Sequence, residues 1–283
     1  MNIRQKKFGI AALVAVVLIF VVIWRIETVS DRVLTTRYTL PERPLALPVK
    51  NGDAQKGEKL ARVYGCFACH GEALTGRVAF SGPLGTKLVA PNLTTLTHRL
   101  SDAELAMAIR FGIKPDGTSL FAMPAGALVK SSDSDIAAII AYLRTLPRKP
   151  GTVPKTAWGF IGRAMLAMGL LPAEAASVDR SLRGPLYTPT DPIARGHYIA
   201  RAHCATCHGD DLTGDTIVAS PDLRFSIKHY TPAAFARFFA TGQGQIGHGT
   251  KVMTPMIRSR FRFLTKADVR GIYAYLNAPK PKS

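Results

Sequence analysis

The sequence predicts an all-α protein: an N-terminal transmembrane helix followed by two tandem copies of one small helical domain. Three observations carry the prediction. An unbroken apolar run lies near the N-terminus, one series of landmarks occurs twice in the same order, and each copy holds helix-start signals ahead of apolar stripes.

At the N-terminus, Arg4, Lys6 and Lys7 precede an apolar run from Phe8 to Trp24, which Arg25 closes. At about 1.5 Å per residue, roughly 17 residues just cross a hydrocarbon core of about 30 Å. The run has no polar face, which argues against a buried core helix. A cleaved signal peptide is the alternative, but Arg25-Ile26-Glu27-Thr28-Val29-Ser30-Asp31 offers no small-x-small cleavage site, so an uncleaved anchor is expected. The positive residues before the run hold the N-terminus in the cytoplasm. The expectation is a single-pass protein of the cytoplasmic (inner) membrane, with everything after the anchor in the periplasm. Residues 1–26 make the anchor and 27–50 an extended stalk, in which Pro41, Pro44 and Pro48 oppose helix.

The repeat follows. Its first copy (residues 51–148) reads Lys56-Gly57-Glu58-Lys59-Leu60-Ala61, then Cys66-Phe67-Ala68-Cys69-His70-Gly71, then Leu74-Thr75-Gly76. Its second (residues 189–283) reads Arg195-Gly196-His197-Tyr198-Ile199-Ala200, then Cys204-Ala205-Thr206-Cys207-His208-Gly209, then Leu212-Thr213-Gly214. Pro91-Asn92-Leu93 is echoed by Pro221-Asp222-Leu223. In the first copy Asp53 caps a helix that runs into the Cys pair, and Ser101 with Glu104 forms a capping box for a second helix ending near Phe111-Gly112. Ile136, Ile139, Ile140 and Leu143 stripe a last helix spanning Asp135 to Leu143. In the second copy Thr231-Pro232 starts the middle helix, and Thr265 to Asp268 starts the last one, Asp268 to Leu276. No good alternating strand is visible. Three short helices with long loops make a poor core, which a large apolar cofactor would complete. Between the copies lies a linker, 149–188, whose apolar stretch Trp158 to Leu171 reads as a helix packed on the domains or their junction, with a membrane-surface segment as the alternative.

The chemistry lies in Cys-x-x-Cys-His, which occurs twice. Two thiols so spaced add across the two vinyl groups of one haem, and the next residue, His70 or His208, becomes the proximal iron ligand. The competing readings are a redox dithiol, which needs a βαβ context absent here, and a zinc site, which needs the two repeats brought together. Cys66, Cys69, Cys204 and Cys207 are the four cysteines of the chain, so none is left for another bond. Two covalently attached c-type haems, each with its iron, are the expected cofactors.

Electron transfer calls for a sixth iron ligand. Met123, followed by Pro124, lies after a Gly-rich loop and before the last helix, while Met107 reads as core. The second copy offers Met253 and Met256. Met123 is 12 residues before Asp135 as Met256 is 12 before Asp268, yet Met123 is 11 after Gly112 as Met253 is 11 after Gly242. Met256 is preferred because the approach to the final helix is the more regular part of the repeat. His248 is a third candidate. His98, His197, His203 and His229 are expected to be solvated or hydrogen-bonded. Pro91 and Pro221 sit where a backbone carbonyl could accept the proximal histidine N–H, although a simple turn proline fits equally.

Taken together, Cys-x-x-Cys-His, Leu-Thr-Gly, Pro91-Asn92-Leu93-Thr94, Met123-Pro124 and Ala141-Tyr142-Leu143 resemble the class I cytochrome c domain. The chain as a whole is similar to membrane-anchored dihaem cytochromes c, including cytochrome subunits of bacterial alcohol and sugar dehydrogenases, which commonly have three such domains where this chain has two. The resemblance implies His/Met ligation in both domains. Met256-Ile257 stands where Met-Pro is usual.

The expected function is a one-electron relay from a membrane or periplasmic donor, a quinol-linked complex or dehydrogenase, to a downstream cytochrome or oxidase. His/Met ligation leaves no position for substrate, so the protein is read as a carrier or electron-transfer subunit. The alternative is a dihaem peroxidase-type enzyme; sulfur-oxidising dihaem enzymes use a distal cysteine, and none is spare. The net charge of +18 and the pI near 10.1 point to acidic redox partners and anionic lipid rather than nucleic acid, since the chain lies outside the cytoplasm.

Overall fold

The computed structural model describes residues 3–39, 46–216, 219–244 and 251–279. Helix α1, Ile3–Thr35, contains the apolar run and is long and apolar enough to cross a membrane. It does not stop at Ile26, as expected of an anchor followed by an extended stalk. Residues 27–35 hold no helix breaker, and the first proline comes only at position 41. The chain after it is not free either, because Tyr38 N–H donates to the Gly117 carbonyl at 2.9 Å.

The first repeat is built from α2 (Ala54–Val63), α3 (Cys66–His70), a β1 (Arg77–Ser81) and β2 (Lys87–Ala90) ribbon, α4 (Leu93–Leu96), α5 (Asp102–Phe111), α6 (Ala125–Leu128) and α7 (Asp133–Thr145). The caps lie where the sequence puts them. Asp53 accepts from Lys56 N–H, and Ser101 with Glu104 closes a capping box on α5, which ends at left-handed Gly112. The antiparallel ribbon is a departure from the expectation of no strand. Its strands are short, and β1 is exposed on both faces, so the pattern gives no half-buried alternation to read.

The most extensive packing within each repeat is between its first and last helices. α2 crosses α7 so closely that a Cβ on Gly57 would collide with the Ala138 carbonyl. Ile136, Ile139, Ile140 and Leu143 on α7 are all buried in the same cluster as Leu74, Leu105 and Tyr64. Each such side chain contributes about 1.5–3 kcal/mol by leaving water.

The linker holds α8 (Phe160–Ala167) and α9 (Glu174–Ser177). α8 is shorter than the Trp158 to Leu171 stretch because Gly159 precedes it and left-handed Gly169 follows. It packs on α1, not on the junction of the domains, with Arg163 reaching Glu27 and Asp31.

The second repeat repeats the plan with α10 (Pro192–Ile199), a π-helical segment Ala200–Cys204, α11 (Ala205–His208), α12 (Leu223–Ser226), α13 (Pro232–Thr241), α14 (Met253–Ser259) and α15 (Lys266–Asn277). Thr231 caps α13, and Thr265 with Asp268 closes a capping box on α15. Gly196 meets the Gly271 carbonyl as Gly57 meets that of Ala138. Lys56 pairs with Asp135 at 2.6 Å, and Arg195 with Asp268 at 2.6 Å, so each first helix is tied to the first turn of each last helix.

Candidate functional site

Each Cys-x-x-Cys-His segment is one turn of helix hung on the end of the first helix of its repeat. In the first repeat, Leu74 N–H returns to the Gly71 carbonyl at 2.9 Å and Gly76 N–H to the His70 carbonyl at 2.9 Å. Leu93 N–H then donates to the Leu74 carbonyl at 2.9 Å. Those bonds draw Pro91 under the ring, where its carbonyl lies 2.8 Å from His70 Nδ1. The second repeat does the same. Leu212 N–H reaches Gly209 O at 3.0 Å, Gly214 N–H reaches His208 O at 2.9 Å, Leu223 N–H reaches Leu212 O at 2.9 Å, and the Pro221 carbonyl lies 2.9 Å from His208 Nδ1. Of the two readings of these prolines, the carbonyl acceptor is the one the geometry has.

A carbonyl only accepts, so Nδ1 carries the proton in both histidines and Nε2 presents its lone pair. That is the tautomer a metal requires. Burial pushes the His70 pKa below its ordinary value, against the raising effect of the Pro91 carbonyl, which favours the neutral ring. The thiols are unbridged. Burial pushes Cys66 up to about 11 and Cys204 up to about 12.

Met123 packs against the first core cluster, as Cys66 does. Met253 and Met256, both on α14, pack against the second, as Cys204 does. Met107 is buried on α5, as read. His248 lies outside the described residues. Among the described residues no three or more His, Cys, Asp or Glu side chains converge as a metal site. A proton-bearing Nδ1, a free Nε2, two unbridged thiols and a thioether packed against the same apolar cluster fit a c-type haem.

The remaining histidines divide. His98 Nε2 donates to the Leu146 carbonyl, 3.2 Å away, and the rings of His197 and His229 lie against Tyr275 and Phe225. His203 departs from the expectation of a solvated or hydrogen-bonded ring. It lies 4.3 Å from the Tyr64 ring and 6.2 Å from that of Phe261, its Nδ1 is buried without a partner, and burial pushes its pKa down to about 3.

Sequence reasoning missed the surface on which the two sites meet. The end of α2 packs on Phe261–Phe263 of the second repeat, while α6 of the first packs on Ala200–Cys204 and α11. Each attachment segment therefore abuts the stretch that follows the methionines of the other repeat. Arg260 Nε donates to the Val63 carbonyl at 3.0 Å, and the Arg62 guanidinium sits 4.1 Å over Phe67 and 5.2 Å from Phe263. Tyr198 Oη donates to buried Asp135 at 2.6 Å and accepts from Ser132 N–H at 2.9 Å. Tyr64 and Ser131 share a short hydroxyl contact beside it. A cleft of about 600 Å³ opens beside this interface between Pro124, Ala127 and Lys130 on one side and Ala205, Thr206 and Asp210 on the other. The signal was present in the order of residues, since Tyr64 lies two positions and His203 one position before the first cysteine of its motif, but nothing in a sequence pairs residues across repeats.

The fold is a tandem of two small helical domains, each with one histidine clamped by a prolyl carbonyl. The chain belongs to the cytochrome c family, whose model matches residues 54–147 and 193–279. Membership implies covalently bound c-type haem and a role in electron transfer. Among curated relatives, the fructose dehydrogenase cytochrome subunit of Gluconobacter japonicus is 26% identical over 276 residues, covering 86% of this chain and 56% of its own length. The cytochrome c subunit of the quinone alcohol dehydrogenase of Gluconacetobacter polyoxogenes is 31% identical, covering 54% and 35%. The cytochrome c subunit of gluconate 2-dehydrogenase of Pantoea cypripedii is 28% identical, covering 54% and 37%. The chain thus spans 56% of the length of the first of these and 35–37% of the other two.

Proposed function

We propose that the chain carries two c-type haems, one per repeat, and relays single electrons from a dehydrogenase or quinol-linked complex to a downstream cytochrome or oxidase. The observation that carries this reading is the matched pair of histidine clamps, His70 to Pro91 and His208 to Pro221. In it, Cys66 and Cys69, and Cys204 and Cys207, hold each haem by thioether bonds. His70 and His208 would bind iron through Nε2, and Met123 and Met256 would supply the second protein ligand in each repeat. Bound haem supplies the ferric/ferrous couple. The prolyl carbonyls fix the imidazoles and make them more basic, and the methionine sulfur favours the ferrous state. With both faces closed there is no position for a substrate, so the chain is a carrier or an electron-transfer subunit. The domain limits 51–148 and 189–283 belong to the same reading.

α1 serves as a single-pass anchor in the cytoplasmic membrane, with both repeats in the periplasm. The dehydrogenase partner is supported by the names of the relatives, and the acidic character of the redox partner by the +18 net charge. The deciding experiment is mass spectrometry and absorption spectroscopy of the protein purified from its native membrane. The mature polypeptide should carry the mass of two haems, both low-spin, together with a co-purifying dehydrogenase or oxidase. A polypeptide without added haem ends the proposal. High-spin haem with turnover of peroxide would replace the carrier by a peroxidase.

A further inference from the structure

α8 presents a difficulty for a helix in water. Gly162 and Leu166 are buried against the fold, and its one charged side chain, Arg163, is turned onto α1. The opposite side carries Phe160 and Ile161, and the turn after it carries Met168 (63% exposed) and Leu170 (65% exposed). The helix is apolar nearly all round, a pattern that belongs to a helix with no aqueous side. The ribbon beside it has the same character. Phe80 is exposed on β1, and the tip between β1 and β2 displays Leu84, 67% exposed. The two elements form one surface. Gly159 lies against the Leu84 carbonyl, Thr86 Oγ1 accepts from Gly162 N–H at 3.0 Å, and Lys87 pairs antiparallel with Ala157. A contiguous apolar patch of this kind marks an interaction surface.

Its height identifies the occupant. Arg163 Nη1 lies 2.9 Å from Glu27, 2.6 Å from Asp31 and 2.9 Å from Ser30 Oγ. Along α1 those residues begin about 4.5 Å and end about 10 Å beyond Trp24, where the apolar run closes. The headgroup layer of a bilayer occupies roughly the 5–8 Å outside the hydrocarbon core. α8 is therefore strapped to α1 at headgroup level. Arg77, Lys87 and Lys155 are exposed on or beside the ribbon, as anionic lipid would favour.

We propose that the ribbon and α8 insert into the outer-leaflet interface beside α1, so that the first repeat rests on the bilayer through a second, lipid-facing contact. This rests on the reading of α1 as a membrane anchor. It brings the first attachment segment toward the membrane, since β1 begins one residue after Gly76, which bonds the His70 carbonyl. Electrons would then enter the first repeat at the height of the membrane surface.

The test uses the full-length haem-loaded protein in nanodiscs of phosphatidylcholine and phosphatidylglycerol, doped with a lipid bearing a carbene-forming diazirine on its acyl chain. After irradiation, mass spectrometry maps the adducts. Expected are adducts in residues 8–24, and also in 77–90 and 158–171, above the level in the second repeat. Adducts in 8–24 without the other two segments overturn the proposal and leave the anchor standing; an unlabelled 8–24 sinks the anchor reading itself. In a Leu84→Asp, Met168→Asp double variant, labelling of both segments should fall by about fivefold at unchanged haem content and unchanged labelling of 8–24. Labelling indifferent to the substitutions overturns the proposal. So does cross-linking of the patch to a second polypeptide in native membranes when nanodiscs leave it unlabelled.

Discussion

In the first repeat the opening helix stops at Gly65, whose left-handed backbone turns the chain into Cys66; in the second, the helix runs on through five π-helical residues to Cys204. The two approaches also differ in length: Gly57 and Gly196 are equivalent crossing points, and nine positions separate Gly57 from Cys66 where eight separate Gly196 from Cys204. Past the cysteines the two copies share the bonds that bring the prolyl carbonyl to the histidine. The comparison teaches that the approach to the site tolerates change and the histidine clamp does not. The distal side varies too. Met123 precedes the short α6 in an irregular turn, whereas Met253 and Met256 both lie on α14.

The largest expected effect tests that distal difference. Met123→Ala should turn one of two haems high-spin and lower its potential, because the sixth ligand is lost. Met256→Ala should do the same to the other haem, while Met253→Ala leaves both low-spin and costs only packing. Absorption and resonance Raman spectra of the three variants decide it. If Met253→Ala alone changes spin state, the assignment of Met256 is wrong.

Next in size is the asymmetry of the two aspartates at the start of the last helices. Asp135 accepts from Lys56, Tyr198 and Thr188, its side chain being 2% exposed. Asp268 accepts from Arg195 and its own cap. Asp135→Asn should cost about 3 kcal/mol, because a buried carboxylate accepting from three side chains is lost, and Asp268→Asn about 1 kcal/mol. Denaturant unfolding followed at the haem absorbance measures both. Equal losses would mean that the contact between repeats adds nothing to the first domain.

His203 has no counterpart in the first repeat, where Gly65 precedes the cysteines. Its folded-state pKa of about 3 lies below the ordinary histidine value near 6.5. The unfolded chain therefore binds the proton first as pH falls, and stability declines from about pH 6.5 toward pH 3 by up to about 1.4 kcal/mol per unit. His203→Phe, which keeps a ring between Tyr64 and Phe261 and removes the unpaired Nδ1, should add about 1 kcal/mol at pH 7 and about 2 kcal/mol more at pH 5. Unfolding midpoints at the two pH values check it. A variant with the wild-type acid slope would exclude His203 as its source.

The difference between near and distant information explains what the sequence made legible. Helix caps such as Ser101 with Glu104 and Thr265 with Asp268 are written within four residues, and the attachment motif within five, so both could be read directly. The prolyl carbonyls were readable only as a possibility, because the bonds that draw Pro91 under His70 join Leu74 to Leu93. The extra turns of α1 escaped because what holds them, Arg163, lies more than 130 positions away in sequence. Tyr198 and Asp135 escaped for the same reason. The ribbon escaped because its strands are short and β1 is exposed on both faces, which leaves no alternation to read.

The smallest effect concerns charge. Lys and Arg exceed Asp and Glu by a wider margin in residues 189–283 than in 51–148, although both copies serve the same chemistry. If the first repeat faces the membrane side, an acidic soluble acceptor would be steered to the second. Raising ionic strength from about 0.01 to 0.15 M shortens the Debye length from about 30 to 8 Å, and electron exchange with that acceptor should slow about tenfold. Charge reversal at exposed Arg237 and Arg270 on the second repeat should flatten this salt dependence, and reversal at Lys59 and Arg99 on the first should leave it intact. Stopped-flow oxidation across a salt series measures the slopes. Equal flattening by both pairs would show that the partner responds to the charge of the whole chain and not to one domain, and the functional asymmetry between the repeats would then have to come from their potentials.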